Sequence, residues 1–294
     1  MYFIDATMEA NKAYLIKKNI ISIEGQDKEI FLQNIITNDI NKLKNEKSIY
    51  AALLSPQGKI LFDFIIIQNE KKFLIEVDRF DAKKFFEKLM AYKLRSKVEI
   101  KVNTNLLSLD VDNQLFKKIS NLSENLFVFF EDPRFKNLSF RALINLENLL
   151  NFSEKFSISV IDDDKKYCKK LFDRGIPPVG FGSMYSEIFA LEANFKELNG
   201  IEFKKGCYIG QENTARMNLK SKINKRLLAI KNLNGDVKKN QNILYKNSVI
   251  GKVATDGSYP FGLIKINDEN KNEFLEDNFK TETSELKILQ NKFI

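Results

Sequence analysis

The segment Lys204–Glu212 reads KKGCYIGQE and sets a thiol among two lysines, two glycines and an acid. Thiol reactivity follows the thiolate fraction, which nearby cations or oriented amides increase. Lys205 stands two residues before Cys207 and Lys204 three, so either ammonium could approach the sulfur. Gly206 and Gly210 remove side-chain bulk and permit unusual backbone angles, which lets a ligand approach the main chain. Gln211 and Glu212 follow as a hydrogen-bonding amide and a carboxylate. A tight turn with a packed cysteine would use the same residues, so the spacing alone argues only for a specially shaped loop.

Composition narrows the chemistry. The chain has no histidine and two cysteines, Cys168 and Cys207. Catalytic Ser–His and Cys–His pairs and histidine-ligated zinc are therefore excluded within this sequence. Two thiols far apart in the chain make neither a disulfide framework nor a four-thiolate cluster site, and no metal ligand set is expected. What remains is carboxylates, lysine, arginine, backbone dipoles, one thiol or a borrowed cofactor. A net charge of +8 raises the question of a polyanionic partner. The lysines are spread without a dense block, and the charge reads as solvated surface. The first residues carry acids early with no basic-then-apolar block, and the longest apolar run, Phe64–Ile67, is too short to span a membrane. The expectation is a soluble, cytoplasmic protein with no membrane contact.

The elements that must hold the thiol come next. Residues 27–44 predict an amphipathic helix on Ile30, Phe31, Ile35 and Ile36, with Asp27 as its cap. The runs KILFDFIIIQ and KFLIEV, joined by NEKK, predict a hairpin. A second helix from about Asp78 would bury Phe80, Phe85, Leu89 and Met90, and KVEIKV returns as a strand. Strands at LLSLDV, NLFVFF, LSFRALI and FSISVI follow, and then a helix over 162–174 that buries Tyr167, Cys168, Leu171 and Phe172. Cys168 thus reads as a core residue. Beyond residue 220 the runs RLLAI, NILYK, VIGKVATDG, FGLIKI and ELKIL are short and punctuated by turns, as in a small barrel. The acids of 268–285 read as a solvated tail. The expectation is an α+β protein with antiparallel sheets, a first region over 1–220 and a barrel over 221–294.

The string KGCYIGQE resembles the signature K-G-C-Y/F-x-G-Q-E of the YgfZ-type folate-binding proteins. These are similar to the tetrahydrofolate-dependent aminomethyltransferase of glycine cleavage, and they include a mitochondrial iron–sulfur assembly factor. FLQNIITND (31–39), SPQGKILFDF (55–64), YKLRSKVEI (92–100), DPR (132–134), GIP (175–177) and LEANFKELNGIEFKKGCYIGQENTAR (191–216) follow in the order of that family. The resemblance implies two interwoven α/β subdomains and a C-terminal β-barrel, arranged as a ring around a central folate channel. It implies a reduced folate, such as tetrahydrofolate, as cofactor. Glu192 of LEANF would hydrogen-bond the pterin, for which a carboxylate suits two adjacent N–H donors. Asn194, Tyr208, Gln211, Glu212, Arg216 and Arg226 join it as expected folate-site residues, the arginines toward the folate's own carboxylates. The sequence departs from the transferase pattern at GKILFDF, where Phe62 replaces one of two acids and Asp63 alone remains.

The function implied is an accessory protein that binds a reduced folate and supports iron–sulfur proteins, among them radical tRNA methylthiotransferases. Cys207 would be the working thiol, with Lys205 favouring its thiolate. A folate-dependent one-carbon transferase with Asp63 as general acid is the alternative. An RNA-binding module exploiting the +8 charge, with tRNA contact, stands third.

Overall fold

In the computed structural model, residues 11–119, 127–219, 223–266 and 271–289 are described. The chain opens with β1 (Asn11–Leu15) and β2 (Lys18–Glu24), which go to different sheets although only Ile16 and Lys17 separate them. Next come α1 (Lys28–Ile35), a 3-10 turn at Ile40–Lys44, β3 (Ser48–Leu54), β4 (Ile60–Asn69), β5 (Lys72–Asp78), α2 (Ala82–Lys93) and β6 (Glu99–Asn103). They complete a five-stranded antiparallel sheet in the order β3-β4-β5-β2-β6. The chain then returns to the first sheet through β7 (Leu106–Val111), α3 (Asn113–Ile119), β8 (Phe127–Glu131), β9 (Phe140–Asn145), α4 (Leu149–Phe156) and β10 (Ile158–Ile161). The order of that sheet is β10-β1-β7-β9-β8, antiparallel except for the parallel β1–β10 pair. Two α+β subdomains are thus interwoven by a two-residue crossover.

After α5 (Lys165–Phe172) a long irregular segment, with a 3-10 turn at Phe181–Met184, leads to α6 (Gln211–Leu219). A closed barrel follows from β11 (Lys225–Gly235), β12 (Asn242–Tyr245), β13 (Ser248–Thr255), β14 (Phe261–Lys265), α7 (Lys271–Glu276), β15 (Asn278–Lys280) and β16 (Ser284–Ile288). Its strands close in the order β11-β14-β13-β12-β15-β16. The expected boundary at residue 220 lies outside the described residues.

β3 and β4 read as unbroken apolar runs because both faces of their sheet are covered. Ile49, Ala51, Leu53, Phe62, Phe64 and Ile66 pack toward α1 and α2. Tyr50, Ala52, Leu54, Ile65 and Ile67 face the main core, shared with α5, the 181–201 segment and the barrel. A bulge beside Leu53 and Leu54 shifts the register at Leu61. Asp63 therefore shares the main-core face with Ile65 and Ile67, whereas Leu61 turns to the other side.

Several expected elements end differently. The 27–44 helix stops at Ile35, Ile36 instead pairs with Leu53, and Ile30 is exposed. The Asp27 carboxylate accepts the Lys97 amide rather than capping α1. α2 begins after Phe80, which leaves Phe80 exposed and Met90 partly so, while Phe85 and Leu89 are buried. The described part of the acidic 268–285 stretch is not a tail. α7, β15 and β16 close the barrel there, with Phe274, Phe279 and Leu286 in its core. Apolar residues spaced five and seven apart among the acids outweigh local charge once a barrel edge needs covering.

Candidate functional site

Cys207 is exposed, on a loop secured from both sides. On the N-terminal side Lys205 is buried, and its Nζ donates to the carbonyls of Gln33 at 2.7 Å, Ile36 at 2.8 Å and Asn38 at 2.9 Å. These carbonyls lie in and just beyond the last turn of α1, where a helix leaves acceptors unpaired and carries partial negative charge. No basic residue of α1's own last turn serves them. Burial pushes the Lys205 ammonium down to about 8, with Asp39 acting to hold the proton on. Its three donors are engaged by carbonyls, so none is left to hydrogen-bond the Cys207 sulfur. The ring of buried Tyr208 lies 4.9 Å from the same Nζ.

On the C-terminal side Gly210 adopts φ +81, and a β-carbon there would meet Ser55 O at 2.5 Å. Its neighbour is the Ser55–Gly58 turn, closed by the Gly58 N–H donating to Ser55 O at 2.8 Å, with Gly58 itself at φ +85. Asn213 of α6 reaches across to Gln57 O at 2.9 Å. Thr37 and Asn38 lace the other flank. The Thr37 hydroxyl donates to Gly200 O at 2.6 Å, and Asn38 Nδ2 donates to Tyr50 O and Asn199 O, both at 2.8 Å. The motifs FLQNIITND, SPQGKILFDF and KGCYIGQE, far apart in sequence, thus form one platform under the thiol. Cys168, by contrast, is buried on α5, and burial pushes its thiol up to about 11.

Asp63 lies elsewhere, in a buried polar cluster. Its Oδ2 accepts the Tyr50 hydroxyl at 3.0 Å and its Oδ1 the Phe181 amide at 3.0 Å. Lys18, Tyr50, Asp63, Glu76, Asp78, Arg134 and Tyr167 line a cavity of about 20 Å³. That is room for about one water. Behind it, fully buried Arg141 contacts Glu76 at 3.2 Å, Asp132 at 3.1 Å and the Tyr167 hydroxyl at 2.8 Å. Arg134 forks onto Asp132 at 2.9 and 2.7 Å. Burial alone would raise Asp132, but the two guanidiniums hold it down to about 2. Burial, with Asp63 and Asp78 alongside, pushes Asp81 up to about 6. Sequence reasoning missed Tyr50, Glu76, Arg134, Arg141 and Tyr167 as a group. The available signal was a charge inside an otherwise apolar strand, as in FLIEVD and SFRALI.

Glu192 lies beyond the N-terminal end of β4. Its Oε2 accepts the Phe189 amide at 3.1 Å, and Phe189 bridges to Lys59, four residues or about 13 Å along the strand from Asp63. Burial raises this carboxyl, and Oε1 has no hydrogen-bond partner among the described residues. Asn194 and Arg226 are engaged in joining the barrel to the α+β region. Asn194 Nδ2 donates to Leu227 O at 2.9 Å, and Arg226 donates to Leu191 O and Asn194 Oδ1 and pairs with Glu197 at 2.9 Å. Gln211, Glu212 and Arg216 lie on the outer side of α6, where Arg216 pairs with Glu212 at 3.0 Å. The residues expected to meet a folate therefore occupy three places. Of the Glu192, Asn194 and Arg226 group, only Glu192 keeps a half-buried acceptor without a partner among the described residues. The 20 Å³ cavity at Asp63 has no room for a pterin ring.

Among the described residues no helix is long and apolar enough to cross a membrane. Nor does any group of three or more cysteines and carboxylates there suit a metal ion.

Comparison with known proteins gives a consistent set. A family model described as the GCVT N-terminal domain matches residues 17–111. A protein of Neurospora crassa named iron-sulfur cluster assembly factor IBA57 homolog, mitochondrial, is 30% identical over 268 residues, covering 85% of this chain and 57% of that protein. The Dictyostelium discoideum protein of the same name is 28% identical, covering 74% of this chain and 61% of that one. The tRNA-modifying protein YgfZ of Blochmanniella pennsylvanica is 27% identical, covering 76% and 72%. The chain thus spans roughly three-fifths of the length of the two IBA57 relatives. The crystal structure of glycine cleavage system aminomethyltransferase T from Bartonella henselae superposes with a TM-score of 0.70 at 13% identity, covering 97% of this chain and 86% of that one. The mitochondrial names overturn the cytoplasmic expectation and point to mitochondria instead. Sparse cysteines report a reducing environment, which is not an address.

Proposed function

We propose that the chain is a YgfZ/IBA57-type member of the aminomethyltransferase-like superfamily and an accessory factor in iron–sulfur cluster assembly working through Cys207, a reading supported by its GCVT-domain match and its IBA57 and YgfZ relatives. The observation that carries the proposal is the exposed thiol on a loop held by Lys205 and Gly210, where a packing role is absent. A thiolate is both the nucleophile and the metal ligand of cysteine chemistry. One thiolate supplies one ligand, whereas a cluster is held by several, so a partner contributes the others. Cys207 would meet that partner at the surface and engage an exposed cluster edge or a client thiol. Iron–sulfur enzymes that thiolate tRNA are the client class, in keeping with the tRNA-modifying name of one relative.

A reduced folate is the proposed ligand, with Glu192 Oε1 accepting a pterin N–H and the half-buried setting sharpening that hydrogen bond. Folate would supply a bound one-carbon carrier. The chain's own contribution is to orient the pterin edge. The transferase alternative ranks lower, because both oxygens of Asp63 are already engaged, by Tyr50 and Phe181, and Phe62 stands where the second acid would be. A direct tRNA contact ranks below both and would appear as steep salt dependence of RNA affinity.

The test is complementation of cells that lack their own factor, with the activity of iron–sulfur enzymes as readout. Cys207→Ser is expected to fail while its circular dichroism and melting temperature match wild type. Full complementation by Cys207→Ser would sink the proposal.

A further inference from the structure

Lys205 is the nearest buried cation to Cys207 in sequence, and its ammonium is spent on the end of α1. All three of its donors meet carbonyls within 2.9 Å at the end of α1, and no carboxylate forms an ion pair with it among the described residues. An ammonium is a compact cation on a flexible stem with three donors. Here the three acceptors fix that stem. Its backbone lies two residues from the sulfur, so the α1 terminus is tied to the loop through a single side chain. The tied end is itself rigid: Thr37 accepts the Glu202 amide at 3.0 Å through its carbonyl and takes Gly200 O through its hydroxyl, and Asn38 grips Tyr50 O. Lys204, one residue earlier and exposed, has none of these bonds among the described residues; its amide donates to the Glu202 carboxylate at 3.0 Å.

We propose that Lys205 is a positioning residue for the Cys207 thiol, tethering the thiol loop to the C-terminal end of α1 and acting on the sulfur through geometry and not through charge. This rests on the reading of Cys207 as the working thiol, and it assigns the neighbouring lysine a different role from the electrostatic one its spacing suggests.

The two roles separate in a pH–rate profile. Purified full-length protein is reacted with a small aromatic disulfide, and the Cys207 rate is followed from pH 6 upward. Charge on the thiolate acts on the midpoint of the profile, whereas loop position acts on the plateau. Lys205→Met is expected to change the plateau rate several-fold with the midpoint unmoved, and Lys204→Ala is expected to change neither. Lys205→Arg keeps the charge but replaces three converging donors with a planar fork, and it is expected to behave as Lys205→Met does. That variant carries the test if Lys205→Met does not fold. A shifted midpoint with an unchanged plateau would overturn the proposal in favour of electrostatics. A profile identical to wild type in a folded Lys205 variant would overturn it outright. No client protein takes part in the reaction, so its outcome is independent of the complementation result.

Discussion

A β-carbon added to Gly210 would lie 3.1 Å from the α-carbon of Gly58, and both residues hold positive φ. Two turns from distant parts of the chain meet backbone to backbone there, and neither accommodates a side chain. The contact fixes where the thiol loop ends and where α6 begins. Gly206, on the other side of Cys207, has nothing within 4 Å of its would-be β-carbon.

The two glycines of KKGCYIGQE should therefore respond differently. Gly210→Ala forces a β-carbon against Ser55 O at 2.5 Å in a left-handed conformation, and about 1–3 kcal/mol of destabilisation is expected by urea unfolding. Gly206→Ala should stay within about 0.5 kcal/mol of wild type. Equal effects at both positions would mean that the Gly58–Gly210 contact does not form.

Arg141 neutralises a buried acidic group, with Glu76 and Asp132 in direct contact and Asp110 at 3.9 Å. Arg141→Leu leaves those carboxylates uncompensated and should cost about 3–5 kcal/mol. The same network predicts acid sensitivity. Asp132 at about 2 lies below its unfolded value of 3.8, so its contribution is present above pH 4 and is lost as pH falls toward 2. Unfolding midpoints measured between pH 2 and 7 check both statements, and a flat acid limb would refute the second.

Asp81 has the opposite sign. Its folded value of about 6 lies above the ordinary 3.8, so the folded state binds the extra proton and stability declines as pH rises from 4 through 6. Asp63 and Asp78 face it as acids, Lys18 as a base, and the Gly182 amide donates to it at 3.1 Å. Asp81→Asn keeps an acceptor for that amide. It should gain about 1 kcal/mol at pH 7, roughly 2–4 °C in melting temperature, after discounting for partial solvation. At pH 4 the gain should vanish. A variant no more stable than wild type at pH 7 would contradict the arrangement of the three aspartates.

Calorimetric titration of tetrahydrofolate under reducing conditions addresses Glu192. Glu192→Ala is expected to lose the binding heat of wild type, and Cys207→Ser is expected to keep it, because the two residues occupy separate places. Undiminished binding by Glu192→Ala would remove that carboxylate from the ligand site.

How much of this was legible from the chain depends on the range of each interaction. The apolar runs KILFDFIIIQ and KFLIEV and the turn residues between them are local, and β4 and β5 form where they predict. The helical stripe Tyr167, Cys168, Leu171 and Phe172 is equally local, and all four are buried. Boundaries fared worse at Phe80 and Ile36, where a strand–helix junction and a bridge to Leu53 decide the conformation. The parallel β1–β10 pairing and the split of β1 from β2 leave no local signature, since both strands read alike from sequence.

Residue types and spacing determined that any chemistry here works without histidine, that one of two thiols is packed and that the other sits in a specially shaped loop. Only the tertiary structure decided what surrounds that loop. A lysine two residues from a cysteine is free to turn either way, and the unpaired carbonyls of a helix end 167 to 172 residues earlier claim it. Likewise, Glu76, Asp132 and Arg141 become one network only when two sheets close over them. Which charge meets which is set by distance in space, and in a buried setting an unpaired charge costs too much to be left alone.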